Sequence, residues 1–263
     1  MEDVLTEIPP PSRFFQEDLY IFAPPSPPLP SPFILFSNPK PNIPLRPSLV
    51  IIALSSPSLF LVNHISSKTL IGSLILPEIP FSGNSIEPSL GDKSCNIYAI
   101  NDTDDSILFI PVQCPVAAER SHIVAKLLIG EQIVPERVLI LDSVQTRNFR
   151  GKLSLDETCA FKLETSSERK GGSSLLKDVD YFPSGSMVDG FAAALLGRCQ
   201  LKKIKGTLCV SWPEYGGSVV SLLKSLLHKN VLTGVDFSLT DGEDSYSRFN
   251  QIKNHPFDSE LYT

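Results

Sequence analysis

From Ser48 onward the apolar residues fall into two rhythms: short unbroken runs, and longer stretches spaced by three and four. Residues 49–54 form an unbroken run rich in β-branched side chains, the pattern of a strand covered on both faces. Residues 57–65 predict a helix opened at Ser55 or Ser56, with Pro57 at an early position where a missing N–H costs nothing. Residues 69–76 predict a second strand, stopped by Pro77. Residues 96–100 and 107–112 predict a strand pair around the turn-forming run Asn101-Asp102-Thr103-Asp104-Asp105. Residues 115–129 predict a helix that places Val116, Glu119, Arg120, Ile123 and Leu127 along its start and body and stops at Gly130. Residues 137–141 predict another buried strand.

Residues 147–180 are polar and carry Gly171-Gly172-Ser173-Ser174, which predicts a mobile loop, although residues 159–163 alternate like a strand. The strongest helical period follows at 186–199, where Met187, Phe191, Ala194, Leu195 and Arg198 share a face and Asp189 sits near the positive end. Residues 206–212 predict a strand. Residues 215–229 predict a closing helix with Val219, Leu222, Leu223, Leu226 and Leu227 as its stripe. Buried strands alternating with helices imply βαβ units, hence an α/β fold with a single mostly parallel sheet flanked by helices.

Two segments break the rhythm. Thirteen of the chain's 23 prolines lie in residues 1–47, where neither a helix nor a central strand is expected to persist. This reads as an extended N-terminal arm, with Phe14, Phe15, Tyr20, Phe22, Phe33 and Phe36 laying parts of it against the folded region. Pro25-Ser26-Pro27-Pro28 fits an SH3 or WW ligand, but spacer or surface wrap is the simpler reading. At the other end, residues 241–260 are too hydrophilic to pack as a core element. The expected organisation is an arm at 1–47, an α/β core at 48–238 and a polar tail at 239–263.

Composition narrows the function. An apolar fraction of 42% suits a globular chain, and a net charge of −6 argues against nucleic acid as the main partner. The basic run Lys202-Lys203-Ile204-Lys205 is short and reads as a helix end. The most apolar stretch, residues 49–62, is broken by Ser55, Ser56, Pro57 and Ser58 and is too short for a membrane span; no signal peptide is expected either. Five scattered cysteines (Cys95, Cys114, Cys159, Cys199 and Cys209) predict reduced, buried thiols in a cytoplasmic or nuclear protein.

Catalytic chemistry is thinly represented. His64, His122, His228 and His255 lie in separate elements without metal-ligand spacing, so no metal or other cofactor is expected. Ser186 follows Gly185 as in a nucleophile elbow, but the second glycine of Gly-x-Ser-x-Gly is absent, and a helix-capping role explains the serine. Asp142 stands at a strand end where α/β enzymes place chemistry, although a lone Asp there is commonly a turn residue. An enzyme of nucleoside phosphorylase or hydrolase type would gather Gln113, Asp142 and Ser186 into one polar cluster.

The last three residues are Leu261, Tyr262 and Thr263: apolar, Tyr, any, then the carboxylate. A tripeptide of this kind can fill a partner's cleft with its ring and pair its carboxylate with a lysine, though it also reads as a frayed terminus. Residues 187–196 (Met-Val-Asp-Gly-Phe-Ala-Ala-Ala-Leu-Leu), 199–204 (Cys-Gln-Leu-Lys-Lys-Ile), the strand 206–210, Pro213-Glu214-Tyr215-Gly216 and this tail together resemble the proteasome assembly chaperone family, in the plant-type form of its chaperone 1 branch. The resemblance covers roughly residues 48–263 and is weak through 77–105. The proline-rich arm departs from the charged arms of animal members.

The resemblance implies a non-enzymatic chaperone with a nucleoside-phosphorylase-like sheet layout. It would form a heterodimer with proteasome assembly chaperone 2 and bind proteasome α-subunits to promote α-ring assembly. Leu261 would supply the apolar contact, Tyr262 the ring and hydroxyl, and the Thr263 carboxylate the charge for a pocket between α-subunits.

Overall fold

The computed structural model describes residues 30–37, 44–80, 84, 91–100, 107–154, 157–172, 174–232, 237 and 246. The predicted turn at 101–105, the Pro25–Pro28 motif, His255 and the terminal tripeptide lie outside the described residues.

The strands are β1 (Phe33–Phe36), β2 (Leu49–Ala53), β3 (Thr69–Ile75), β4 (Asn96–Ile100), β5 (Ile107–Pro111), β6 (Arg137–Ser143), β7 (Cys159–Glu164), β8 (Asp180–Tyr181) and β9 (Lys205–Trp212). They form one sheet in the order β1-β3-β4-β5-β2-β6-β9-β7-β8. The central four, β5-β2-β6-β9, are parallel. Antiparallel pairing extends the sheet through β4, β3 and β1 on one side and through β7 on the other. The helices are α1 (Ser56–Asn63), α2 (Ala118–Leu128), α3 (Ser166–Lys170), α4 (Gly190–Lys202) and α5 (Gly217–Asn230). The α/β class and the sheet flanked by helices are as the alternation predicts.

The two-residue period of a strand divides the core into two layers. Val50, Ile52, Val138, Ile140, Leu208 and Val210 join the layer that holds Val124 and Leu128 of α2 and Leu195 and Cys199 of α4. Leu49, Ile51, Leu139, Leu141 and Cys209 join the layer that holds Leu59 and Phe60 of α1 and Val219, Leu223 and Leu227 of α5. All five residues of β2 are buried, which is why its sequence is continuous rather than alternating. Where α4 meets β9 the approach is so close that a Cβ on Gly206 would lie 2.9 Å from the Cys199 Cβ.

Phe33 and Phe36 belong to a strand on the sheet edge, paired in register Phe33↔Ile75 and Phe36↔Gly72. An edge tolerates the nearby prolines because one side of the strand donates no ladder bonds.

Two expectations change. The strand-like run at 159–163 is β7, as expected, but the rest of the 147–180 loop also holds ordered elements: a 3-10 turn (Thr146–Asn148) at its start, then α3 and β8. The helix predicted from Ser186 starts instead at Gly190. Before it, Ser186 N donates to Pro183 O (3.0 Å) and Met187 N to Asn148 O (2.8 Å), which commits those amides to a turn. Met187 consequently leaves the helical stripe and stands exposed.

Candidate functional site

In open α/β sheets, ligands favour the carboxyl ends of the parallel strands. Here β6 and β9 end side by side, with Asp142 opposite Val210 and Ser143 opposite Ser211. Asp142 Oδ1 accepts from Ser143 N at 2.8 Å, a local turn contact. The chain then folds through the 3-10 turn, where the Asp189 carboxylate accepts from Asn148 Nδ2 (2.9 Å) and Arg147 Nη2 (3.2 Å). Gln145 Oε1 accepts from Arg147 Nε at 3.1 Å. Ser186 Oγ accepts from the Arg150 amide at 2.8 Å. These contacts clamp the loop after β6 to the loop before α4.

The space between the loops, lined by Asp142, Gln145, Asn148, Phe182, Met187 and Asp189 among others, has a volume of ≈ 20 Å³. That is about one water, well below the roughly 300–1,000 Å³ of a small-molecule site.

The candidate polar residues are therefore only partly brought together. Asp142 and the segment after Ser186 share this end of the sheet. Ser186 does not cap a helix; its hydroxyl holds the Arg150 amide. Gln113 follows the carboxyl end of β5, two strands from β6 at the same side of the sheet, with its backbone N–H donating to Ser94 O (2.9 Å) and its Oε1 accepting from Ser94 Oγ (3.2 Å). Among the described histidines, His64 Nδ1 lies 2.8 Å from Phe60 O, and His122 and His228 are exposed. Among the described residues no group of three His, Cys, Asp or Glu side chains could hold a metal ion, and no helix is long and apolar enough to cross a membrane.

Two polar arrangements were not anticipated. Lys162 and Glu164 alternate on β7, so both point to one face, where they form an ion pair at 3.4 Å with side chains almost fully enclosed. Lys162 Nζ also donates to Leu176 O (2.6 Å) and Ser174 Oγ (2.9 Å), Tyr181 OH donates to Glu164 Oε2 (2.6 Å), and Ser174 Oγ donates to Glu164 Oε1. Burial opposes ionisation of Glu164. The Ser174 and Tyr181 hydrogen bonds and the Lys162 charge outweigh it and hold the carboxyl below its ordinary value. Nearby, Glu168 is 1% exposed; it accepts from Leu175 N at 3.0 Å and pairs with Arg137 Nε at 3.2 Å.

The second arrangement is a buried aromatic inside the stretch 241–260, which reads as too hydrophilic for a core element. Tyr246, in the middle of it, is 3% exposed and meets Phe60 edge-on, ring centroids 5.3 Å apart. Burial pushes its phenol up to about 12, against a smaller opposing pull from the Gly216 backbone. Upstream, Phe237 forms an antiparallel bridge with Ile65. The terminal residues Leu261, Tyr262 and Thr263 lie outside the described residues.

No family model and no curated protein matches the sequence. Among solved structures, Pyrococcus furiosus PbaA, an archaeal homologue of proteasome-assembly chaperone, aligns with a TM-score of 0.59 at 14% identity, covering 84% of this chain and 98% of its own. Pyrococcus furiosus PbaB, an archaeal proteasome activator, aligns with a TM-score of 0.58 at 14% identity over 84% and 97%. A PAC2 family protein from Streptomyces avermitilis aligns with a TM-score of 0.50 at 11% identity over 78% and 93%. At these identities the likeness is one of fold.

Proposed function

We propose that this chain is a non-catalytic chaperone that promotes assembly of the 20S proteasome α-ring, as a plant-type member of the proteasome assembly chaperone 1 group. The observation that carries the reading is the sheet-wide likeness to PbaA, which spans 98% of that archaeal chaperone homologue. The geometry at the carboxyl ends of β6 and β9 supports binding over catalysis. Asp142 and Ser186 are engaged in holding loops, and the space beside Asp142 takes about one water rather than a substrate. An enzyme of nucleoside phosphorylase or hydrolase type needs Gln113, Asp142 and Ser186 around one space, whereas Gln113 follows a strand two away from that of Asp142, bonds to Ser94 and does not line the space beside Asp142.

On this reading the chain acts as a heterodimer with proteasome assembly chaperone 2, in the cytoplasm and also the nucleus. All five cysteines are free, which suits a reducing compartment. The tail enters a pocket between α-subunits. Leu261 seals its rim, Tyr262 fills the cleft and the Thr263 carboxylate meets a lysine. A docked body raises the tail's effective concentration, so a weak tripeptide contact counts.

The test is capture of proteasome α-subunits by the full chain, co-expressed with the partner chaperone, with and without residues 261–263. Capture that falls on trimming supports both the chaperone role and the tail site. Capture that is indifferent to trimming removes the tail from the binding surface, and no capture by either form overturns the function.

A further inference from the structure

The C-terminal segment touches the folded body at two described points on the same helical layer. After α5, Val231 N and Leu232 N both donate to Leu227 O (2.9 and 2.8 Å), and Leu232 is buried. Phe237 then bridges to Ile65, just beyond the end of α1. Tyr246 is next fixed against Phe60 within α1 and beside Gly216, the residue that precedes α5. α5 begins after the carboxyl end of β9. The two points therefore lie toward opposite ends of the α1–α5 layer, with Tyr246 nearer the end where β9 finishes.

We infer that Tyr246 is a positioning residue that pins the C-terminal segment to the α1–α5 layer and sets the reach and starting point of the tripeptide Leu261-Tyr262-Thr263; this rests on the tail-docking reading above. The burial supports a pin rather than a passing contact. Tyr246 joins a cluster that contains Leu59, Phe60, Val219, Val220 and Leu223, all nearly inaccessible. A side chain of this size buried in such a cluster holds its own segment in place.

The consequence is a shorter tether. From Tyr246 to Leu261 roughly fifteen residues remain, which limits the reach of the tripeptide to about 50 Å. With Tyr246 released, the last described fixed point before the tripeptide would be Phe237 or Leu232, roughly 24 to 29 residues upstream. Effective concentration falls as about the −3/2 power of tether length, so release should weaken tail-dependent binding about two- to threefold, and more if the tail then starts from the wrong end of the layer.

The experiment uses the full chain with Tyr246→Ala and Tyr246→Phe, each with and without residues 261–263. The first readout, on the isolated protein, is limited proteolysis between residues 233 and 260. Faster cleavage in Tyr246→Ala, with Tyr246→Phe restored toward the natural rate, is expected; equal rates in all forms overturn the pin whatever the function. The second readout is affinity for captured α-subunits. Tyr246→Ala should weaken the intact chain two- to threefold or more and leave the trimmed chain unchanged. Equal weakening of intact and trimmed chains would make Tyr246 a general stability residue and overturn the positioning role. If the intact natural chain captures no α-subunits, the tail-docking reading and the tail-positioning role fall with it, while the proteolysis result still decides the pin.

Discussion

Lys162 and Glu164 show how a single strand position changes meaning with its surroundings. On sequence alone they read as surface charges in a polar stretch, yet both are buried and joined through Ser174, Tyr181 and the Leu176 carbonyl. Removing one partner of such a pair strands the other charge, at a cost of about 3–5 kcal/mol. Lys162→Met should therefore destabilise by that order, while the double change Lys162→Met with Glu164→Leu should recover much of the loss; equal Tm values for the single variant and the natural chain would contradict the network. The pH dependence has a defined sign. A carboxyl held below its ordinary value adds stability above the unfolded pKa and loses it as pH falls through the folded one. Denaturant midpoints should thus fall as the solution is acidified below about pH 4.5, the ordinary value, and this part of the fall should vanish in a Glu164→Gln chain.

The cysteines make a second residue-scale case. Burial pushes Cys199 and Cys209 up to about 12, whereas Cys159 is only half-buried, its thiol raised by the same cause but without the same enclosure. At pH 8 the Cys199 and Cys209 thiols are both held in the protonated, unreactive form. Thiol labelling of the native chain should reach Cys159 well before Cys199 and Cys209, which should react only on unfolding. Equal labelling rates at the three sites would contradict the packing described.

At the scale of elements, what was legible is what burial writes into a pattern. The continuous run at Leu49–Ala53 announces a strand covered on both faces because all its side chains must be apolar. The hairpin strands β4 and β5, the α5 stripe and the start of α1 at Ser55 follow from equally direct rules of spacing and capping. The start of α4 was misplaced because Gly185-Ser186 carries a capping signal that the tertiary contact from Ser186 to Arg150 overrides. Within the 147–180 stretch, α3 and β8 leave no apolar pattern because buried charges hold them, and charge in sequence signals solvent. Tyr246 was overlooked for a related reason: one aromatic in a polar stretch has no period to reveal it.

The contact between α4 and β9 supplies an element-scale test. Ala at position 206 would press its Cβ to 2.9 Å from Cys199 Cβ and 3.1 Å from Thr165 Cγ2. Overpacking of this kind costs about 1–3 kcal/mol, a Tm drop of roughly 3–10 °C. A Gly206→Ala chain that melts with the natural one would show that the helix can back away from the sheet.

For the whole molecule, the sheet order and the two apolar layers explain why the chain shares its fold with PbaA and PbaB at 14% identity. Two-layer packing constrains which positions are apolar far more than which residues occupy them. The same tolerance means that fold alone does not fix function. The proposed function starts from the likeness to PbaA, and two local observations stand beside it: the space next to Asp142 takes about one water, and Tyr246 is buried against Phe60. The terminal tripeptide is legible in the sequence as a pattern, whereas the burial of Tyr246 upstream of it is not.

The most direct test is α-ring formation itself. Purified proteasome α-subunits would be mixed with the full chain and its partner chaperone, and complete rings would be counted by native mass spectrometry against a control without chaperones. The expected result is a higher yield of complete rings and fewer off-pathway α-subunit complexes, with the gain reduced when residues 261–263 are removed. An unchanged distribution of α-subunit complexes in the presence of the heterodimer would contradict the account.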